Sequence, residues 1–194
     1  MTLEPRTRLG IFALLAVVMA GTRLNHFAPV PDASWAVFFV AGFYLQAQLR
    51  WVFPSLMALA VLVDWAVISG SGQSFWSHYC VSPGYWFLLP AHAAMWTGGA
   101  LLARGSQRND LQRLGLLALL LPLSVALCHL FAQGGFYWLS DVVSNPTFAG
   151  WAKNYSDWLL PYLKTAAIYT AIAAALHVLV ARVAALPSAT GEAA

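Results

Sequence analysis

Six apolar runs, at residues 9–21, 34–49, 52–69, 84–104, 114–133 and 158–185, occupy most of this chain, and the breaks between them hold most of its charge. A helix needs about 20 apolar residues to cross a bilayer. The 194 residues therefore hold five or six crossings and leave no length for a soluble domain. With 60% of residues apolar and 9% charged, the chain is far from the mixture of a soluble enzyme. The expected fold is an all-α integral membrane protein, a six-transmembrane-helix bundle with structured outer loops. One domain covers 1–186, and the small, polar 187–194 tail is expected to be disordered.

The breaks differ in kind. Pro29 and Pro31 make the first an extended connection. Arg50 and Trp51 mark a short interfacial turn, with Pro54 in the first turn of the helix that follows. Gly70 and Gly72 open a loop that runs to Gly84. The polar stretch 105–113 is an aqueous connection, and 134–157, with Gly134, Pro146 and Gly150, reads as a long loop. Six crossings put both termini on one side. Arg6, Arg8, Arg50, Arg104, Arg108, Arg113 and Arg182 fall on that side and Arg23 and Lys153 on the other, with Lys164 about two turns into the last helix. The excess of basic residues makes the first side cytoplasmic. His26, Cys80 and Lys153 then lie on the outer face, on loops longer than a connection requires.

Several functions are excluded or disfavoured. No Gly-x-x-x-x-Gly-Lys-[Ser/Thr] loop is present to bind ATP. The net charge of +3 comes from Arg residues between membrane segments, a topology signal and not a nucleic-acid footprint. Two cysteines, one in a loop and one in an apolar run, do not make a disulfide framework. The first run lacks a small-residue cleavage site and is expected to be a membrane helix, not a leader. The two halves show no repeat of the kind that builds many secondary transporters.

Chemistry concentrates in residues 75–87, Phe-Trp-Ser-His-Tyr-Cys-Val-Ser-Pro-Gly-Tyr-Trp-Phe. Cys80 stands two residues from His78, with Trp76, Tyr79, Tyr85 and Trp86 around it. A thiolate is a strong soft-metal donor, and a lone one amid aromatics fits a large, flat ligand with a metal at its centre; it also fits a reduced interfacial cysteine. Asp64 lies inside an apolar run, where a carboxylate is costly, and reads either as functional or as an interfacial group bonded to a neighbouring helix. Cys128, among Leu and Ala, reads as packing.

Small size, six helices, cytoplasmic termini, no ATPase and elaborate outer loops resemble the substrate-binding S-component of an energy-coupling factor (ECF) transporter. Ala16-Val-Val-Met-Ala20 is similar to the Ala-x-x-x-Ala motif by which such components dock on the transmembrane coupling subunit, although Ala13 offers another register. Within that group the chain resembles the BtuM-type cobalamin-specific components that carry a cysteine ahead of helix 4. The resemblance implies vitamin B12 uptake across the bacterial inner membrane, with cobalamin as the transported ligand, no intrinsic cofactor, and an ECF module of transmembrane subunit and ATPases as partner. It also implies that Cys80 faces the cobalt; if it binds there as thiolate, its electron donation is expected to labilise the opposite axial ligand and remove cyanide from cyanocobalamin. On that reading Tyr79 and Tyr85 neighbour the ligand, His26 assists Cys80 or holds a ligand amide, and Lys153 or Arg23 meets the ligand phosphate, each with an ordinary solvated or headgroup role as the alternative. Two readings from other classes remain. One is a haem protein using His92 and His129 on neighbouring helices. The other is a membrane thiol enzyme using Cys80 with His78 or His26, for which no third orienting group is evident.

Overall fold

The computed structural model describes residues 4–24, 31–105 and 109–184. His26 and the 187–194 tail lie outside them. Among the described residues the chain is all-helical, with six α-helical segments: α1 (Pro5–Arg23), α2 (Ser34–Leu45), α3 (Leu49–Gly70), α4 (Leu88–Arg104), α5 (Asp110–Leu139) and α6 (Phe148–Ala184). A 3-10 turn, Gln46–Gln48, joins α2 to α3 without a non-helical break, so continuous helices number five. Among the described residues four helical stretches are long and apolar enough to cross a membrane: Pro5–Arg23, Ser34–Gly70, Asp110–Leu139 and Phe148–Val183.

The 34–70 stretch folds back on itself. Residues 34 and 64 would stand about 45 Å apart on one straight helix, yet Arg23 hydrogen-bonds both Ser34 and Asp64. The chain therefore reverses at Gln46–Gln48. Arg23, Ser34, Asp64 and Tyr85 gather the end of α1, the start of α2, the end of α3 and the approach to α4 at one end of the bundle. At the opposite end of α2, the Tyr44 hydroxyl lies 2.7 Å from His177 Nδ1 of α6.

At the centre is α2, whose residues Ala36, Val37, Phe38, Phe39, Val40 and Ala41 are all buried, as expected for a helix apolar all round. On one side α2 packs closely on α4, because two glycines remove the side chains between them. A methyl group at Gly42 would meet the Trp96 carbonyl, and one at Gly99 would meet the Phe39 carbonyl. Small residues permit this approach where lipid offers no hydrophobic drive. Next to α4 stands α5, with the Ser124 side chain against Gly98. Leu14 and Val17 of α1, Leu62 and Trp65 of α3, and Ile168, Ile172 and Leu176 of α6 are exposed, the apolar surface a bilayer would cover.

Several helix ends differ from the sequence expectation, each for a local reason. Helix α5 begins at 110, not 114, because the Asn109 side chain caps Gln112 N at 2.9 Å with Asp110 in the first turn. It also runs on to 139 through Gly134 and Gly135. Gly135 is required for contact, since a methyl there would lie 2.6 Å from Phe87 Cβ, so the glycine pair does not break the helix. Helix α6 begins at 148, not 158, where Thr147 Oγ1 accepts from Gly150 N at 3.1 Å. The expected loop of 134–157 is thus only residues 140–147, pinned by Tyr137, whose hydroxyl donates to Thr147 O and accepts from Thr147 N. Before α4, Ser82 and Pro83 start a 3-10 turn, Pro83–Phe87, which delays the α-helix from 84 to 88.

Candidate functional site

Helix α3 ends at Gly70, and Ser71 and Gly72 turn the chain away from it. Gly72 has φ of +79°, a left-handed conformation that favours glycine and lets its N–H reach Ser69 O. The chain then enters residues 73–87, two 3-10 turns, Phe75–Ser77 and Pro83–Phe87, with Cys80 between them. Three anchors hold this segment. Phe75 is buried, edge-on to the Tyr85 ring. Gly84 sits against the Gly135 backbone of α5 so closely that any β-carbon would overlap the carbonyl. Tyr85 donates its hydroxyl to Asp64 Oδ2 at 2.6 Å.

Asp64 belongs to a buried ionic cluster. Arg23 donates Nε to Asp64 Oδ1 at 2.6 Å and Nη2 to Oδ2 at 2.7 Å, a bidentate pair with side chains only 8% and 12% exposed. Nη1 of the same guanidinium reaches Asp32 Oδ2 at 3.0 Å and Ser34 Oγ at 3.1 Å. Asp64 is therefore held between helices, and Tyr85, expected beside the ligand, has its hydroxyl committed to that carboxylate. Burial, and then the charge of Asp64, push the Tyr85 hydroxyl well above the ordinary phenol range, so it stays a donor. The role of Arg23 was missed from sequence, where it read as a headgroup contact. An intramembrane Asp needs a partner, but its partner here is 41 residues away.

Cys80 is partly exposed and Cys128 is buried. In the same segment Trp76, Tyr79 and Trp86 are 76%, 59% and 56% exposed. His78 is turned to the backbone, its Nδ1 accepting from Cys80 N at 3.3 Å, and its ring packs 4.4 Å from that of Tyr79. It therefore orders the turn, and its Nδ1 is engaged by the amide. Burial raises the Cys80 thiol above its ordinary range, the hydrogen-bonding Tyr79 hydroxyl draws it partway back, and the Asp64 charge raises it again. The thiol is thus predominantly protonated at neutral pH. Alkylation of Cys80 by iodoacetamide should rise steeply with pH above the ordinary thiol range. Tyr79→Phe should slow it near neutral pH by removing the hydroxyl that favours the thiolate; a faster rate in this variant would contradict the assignment.

The remaining expected residues lie apart from this loop. Lys153 pairs with Asp157 at 2.6 Å on the exposed face of α6. Ala16 is half-buried against the core and Ala20 is half-buried, while Gly10, Ala13, Leu14 and Val17 form the exposed face of α1. The most exposed face of α1 therefore runs through Ala13, with Ala16 and Ala20 partly exposed beside it. His92 is buried on the Phe38 ring, with Nδ1 at 2.7 Å from Leu88 O. His129 is buried beside Tyr155 and Tyr162, with Nε2 at 3.1 Å from Tyr155 O. Among the described residues no group of three or more His, Cys, Asp or Glu side chains is arranged to hold a metal ion. No family model and no curated protein matches this sequence.

Proposed function

We propose that this chain is a cobalamin-binding S-component of an ECF-type transporter in the bacterial inner membrane, with the cobalt of its ligand on the sulfur of Cys80. The observation that carries this reading is a partly exposed thiol on a loop anchored to both α3 and α5, in a segment whose Trp76, Tyr79 and Trp86 side chains are also exposed. A single thiolate is too little to hold a bare ion, so a metal met there arrives with its other ligands already in place, as cobalt does in a corrin. Trp76, Tyr79 and Trp86 offer apolar surface for the macrocycle, and loop backbone groups suit its rim of amides.

In this account the six α-helical segments are six crossings, both termini are cytoplasmic, and the Cys80 end faces outward, in keeping with the placement of the Arg residues. The chain has no nucleotide site, so concentrative uptake draws on an ATPase module through a transmembrane partner, with the Ala13 face of α1 as the available docking surface. The substitution of cyanide balances as follows. The thiol loses its proton, sulfur donates an electron pair to cobalt(III) on the face opposite cyanide as the nucleotide base there leaves with its own pair, and cyanide then departs with the pair of its bond and takes up the proton. The charge pushed onto the metal by sulfur weakens the bond opposite.

The test is absorbance and mass spectrometry of protein purified from cells grown with cobalamin. Wild type and Cys128→Ala should carry a corrinoid with the same altered spectrum, whereas Cys80→Ala should lose it or show the spectrum of the free vitamin. Identical spectra for wild type and Cys80→Ala would remove the cobalt–sulfur assignment.

A further inference from the structure

Away from the Cys80 loop, a cavity of about 80 Å³ opens between the start of α2 and the outer surface of α6. Among the described residues its wall includes Asp32, Trp35, Tyr162, Thr165 and Tyr169. It is far smaller than the roughly 300–1,000 Å³ of a drug-sized ligand site, yet larger than the space a single water requires. It suits a group of a few heavy atoms.

The chemistry of the wall is one-sided. Tyr169 has already donated its hydroxyl proton to Pro31 O at 2.8 Å, and Thr165 has donated its own to Pro161 O at 3.2 Å. Both oxygens keep acceptor lone pairs. Asp32 Oδ1 accepts from the Ser34 amide and hydroxyl, and Oδ2 accepts from Arg23, which leaves acceptor capacity on a side chain that is 28% exposed. The indole of Trp35 and the ring of Tyr162 stack at 4.4 Å and 14°, giving the cavity an aromatic wall. Charge points the same way. Among the described residues the ion pairs of this cluster set two carboxylates, Asp64 and the partly exposed Asp32, against one guanidinium, and a local excess of negative charge at the cavity favours a further cation.

We propose that this cavity binds a primary ammonium group, supplied either by the headgroup of an ethanolamine lipid or by a free amine. Three N–H donors meet the carboxylate and the hydroxyl oxygens, while the positive charge lies against the aromatic wall. A trimethylammonium group has no N–H to give and leaves those oxygens unpaired, so the site discriminates by hydrogen bonding and not by charge alone.

The experiment uses the full chain in detergent, titrated with phosphatidylethanolamine or phosphatidylcholine of the same acyl chains, and reads retained lipid by native mass spectrometry together with the shift in unfolding temperature. Phosphatidylethanolamine should be retained at least about tenfold better than phosphatidylcholine. Thr165→Leu, which fills the cavity without touching the Arg23 pairs, should abolish the preference, and so should Asp32→Asn. Soluble ethanolamine is then added as competitor. Displacement of the lipid means that the site takes the ammonium group from either source, and persistence means that it reads the lipid headgroup. Equal retention of the two lipids with no stabilisation by ethanolamine, or an undiminished preference in Thr165→Leu, overturns the proposal.

Discussion

Asp64→Ala is expected to be strongly destabilising, at about 3–5 kcal/mol, the usual cost of breaking a buried ion pair from one side. The Arg23 side chain is 8% exposed and would lose both bonds of the bidentate pair while still buried and charged. Tyr85 would lose its acceptor at the same time, and with it one of three anchors of the Cys80 loop. Replacing both partners, as in Arg23→Met with Asp64→Leu, should recover a large part of the loss, because the penalty lies in the charge left behind. Unfolding of the purified protein by heat or by SDS titration measures both variants. A single variant as stable as wild type, or a double variant that is worse by the sum of two independent losses, would show that the pair is not the tie between α1 and α3.

Gly99→Leu should prevent α2 and α4 from meeting, with a cost of about 3 kcal/mol or more, since overpacking is worst where the obstacle is backbone. Even its β-carbon would occupy the position of the Phe39 carbonyl, and neither helix can yield without moving the buried centre of the bundle. Gly10→Leu is the matched control, since Gly10 has nothing within 4 Å of where a side chain would begin. The two variants can be compared by monodispersity after extraction and by unfolding temperature. Similar behaviour would mean that the helices have room to separate.

The membrane class, and where each apolar run lies, could be read directly from the chain, because a bilayer demands long apolar segments and leaves charge only at their ends. Helix ends were harder to read. Gly134 and Gly135 looked like a break, but at Gly135 the absent side chain makes room for Phe87, which is a tertiary contact with no local signature. Thr147 and Asn109 were available as caps and would have placed the starts of α6 and α5. Asp64 stood out through its cost in an apolar run, but Arg23 and Tyr85 as its partners depend on three segments meeting in space. The Ala16–Ala20 spacing marks a face of α1 without saying which way that face turns, and packing of Leu15 and Met19 into the core leaves it partly buried. Cys80 could be singled out from sequence by its softness and its aromatic neighbours, while the turn of His78 toward the backbone could not.

The central claim, that sulfur of Cys80 binds cobalt, is tested most directly by mixing purified protein with cyanocobalamin and following the cobalt absorbance and the free cyanide over time. The account predicts that cyanide leaves as the Co–S bond forms, faster at higher pH because burial holds the Cys80 thiol above its ordinary range and the thiolate is the attacking form. Cys128→Ala should behave as wild type, and Cys80→Ala should release none. Cyanide that remains bound in wild type, or that leaves equally fast from Cys80→Ala, would contradict it.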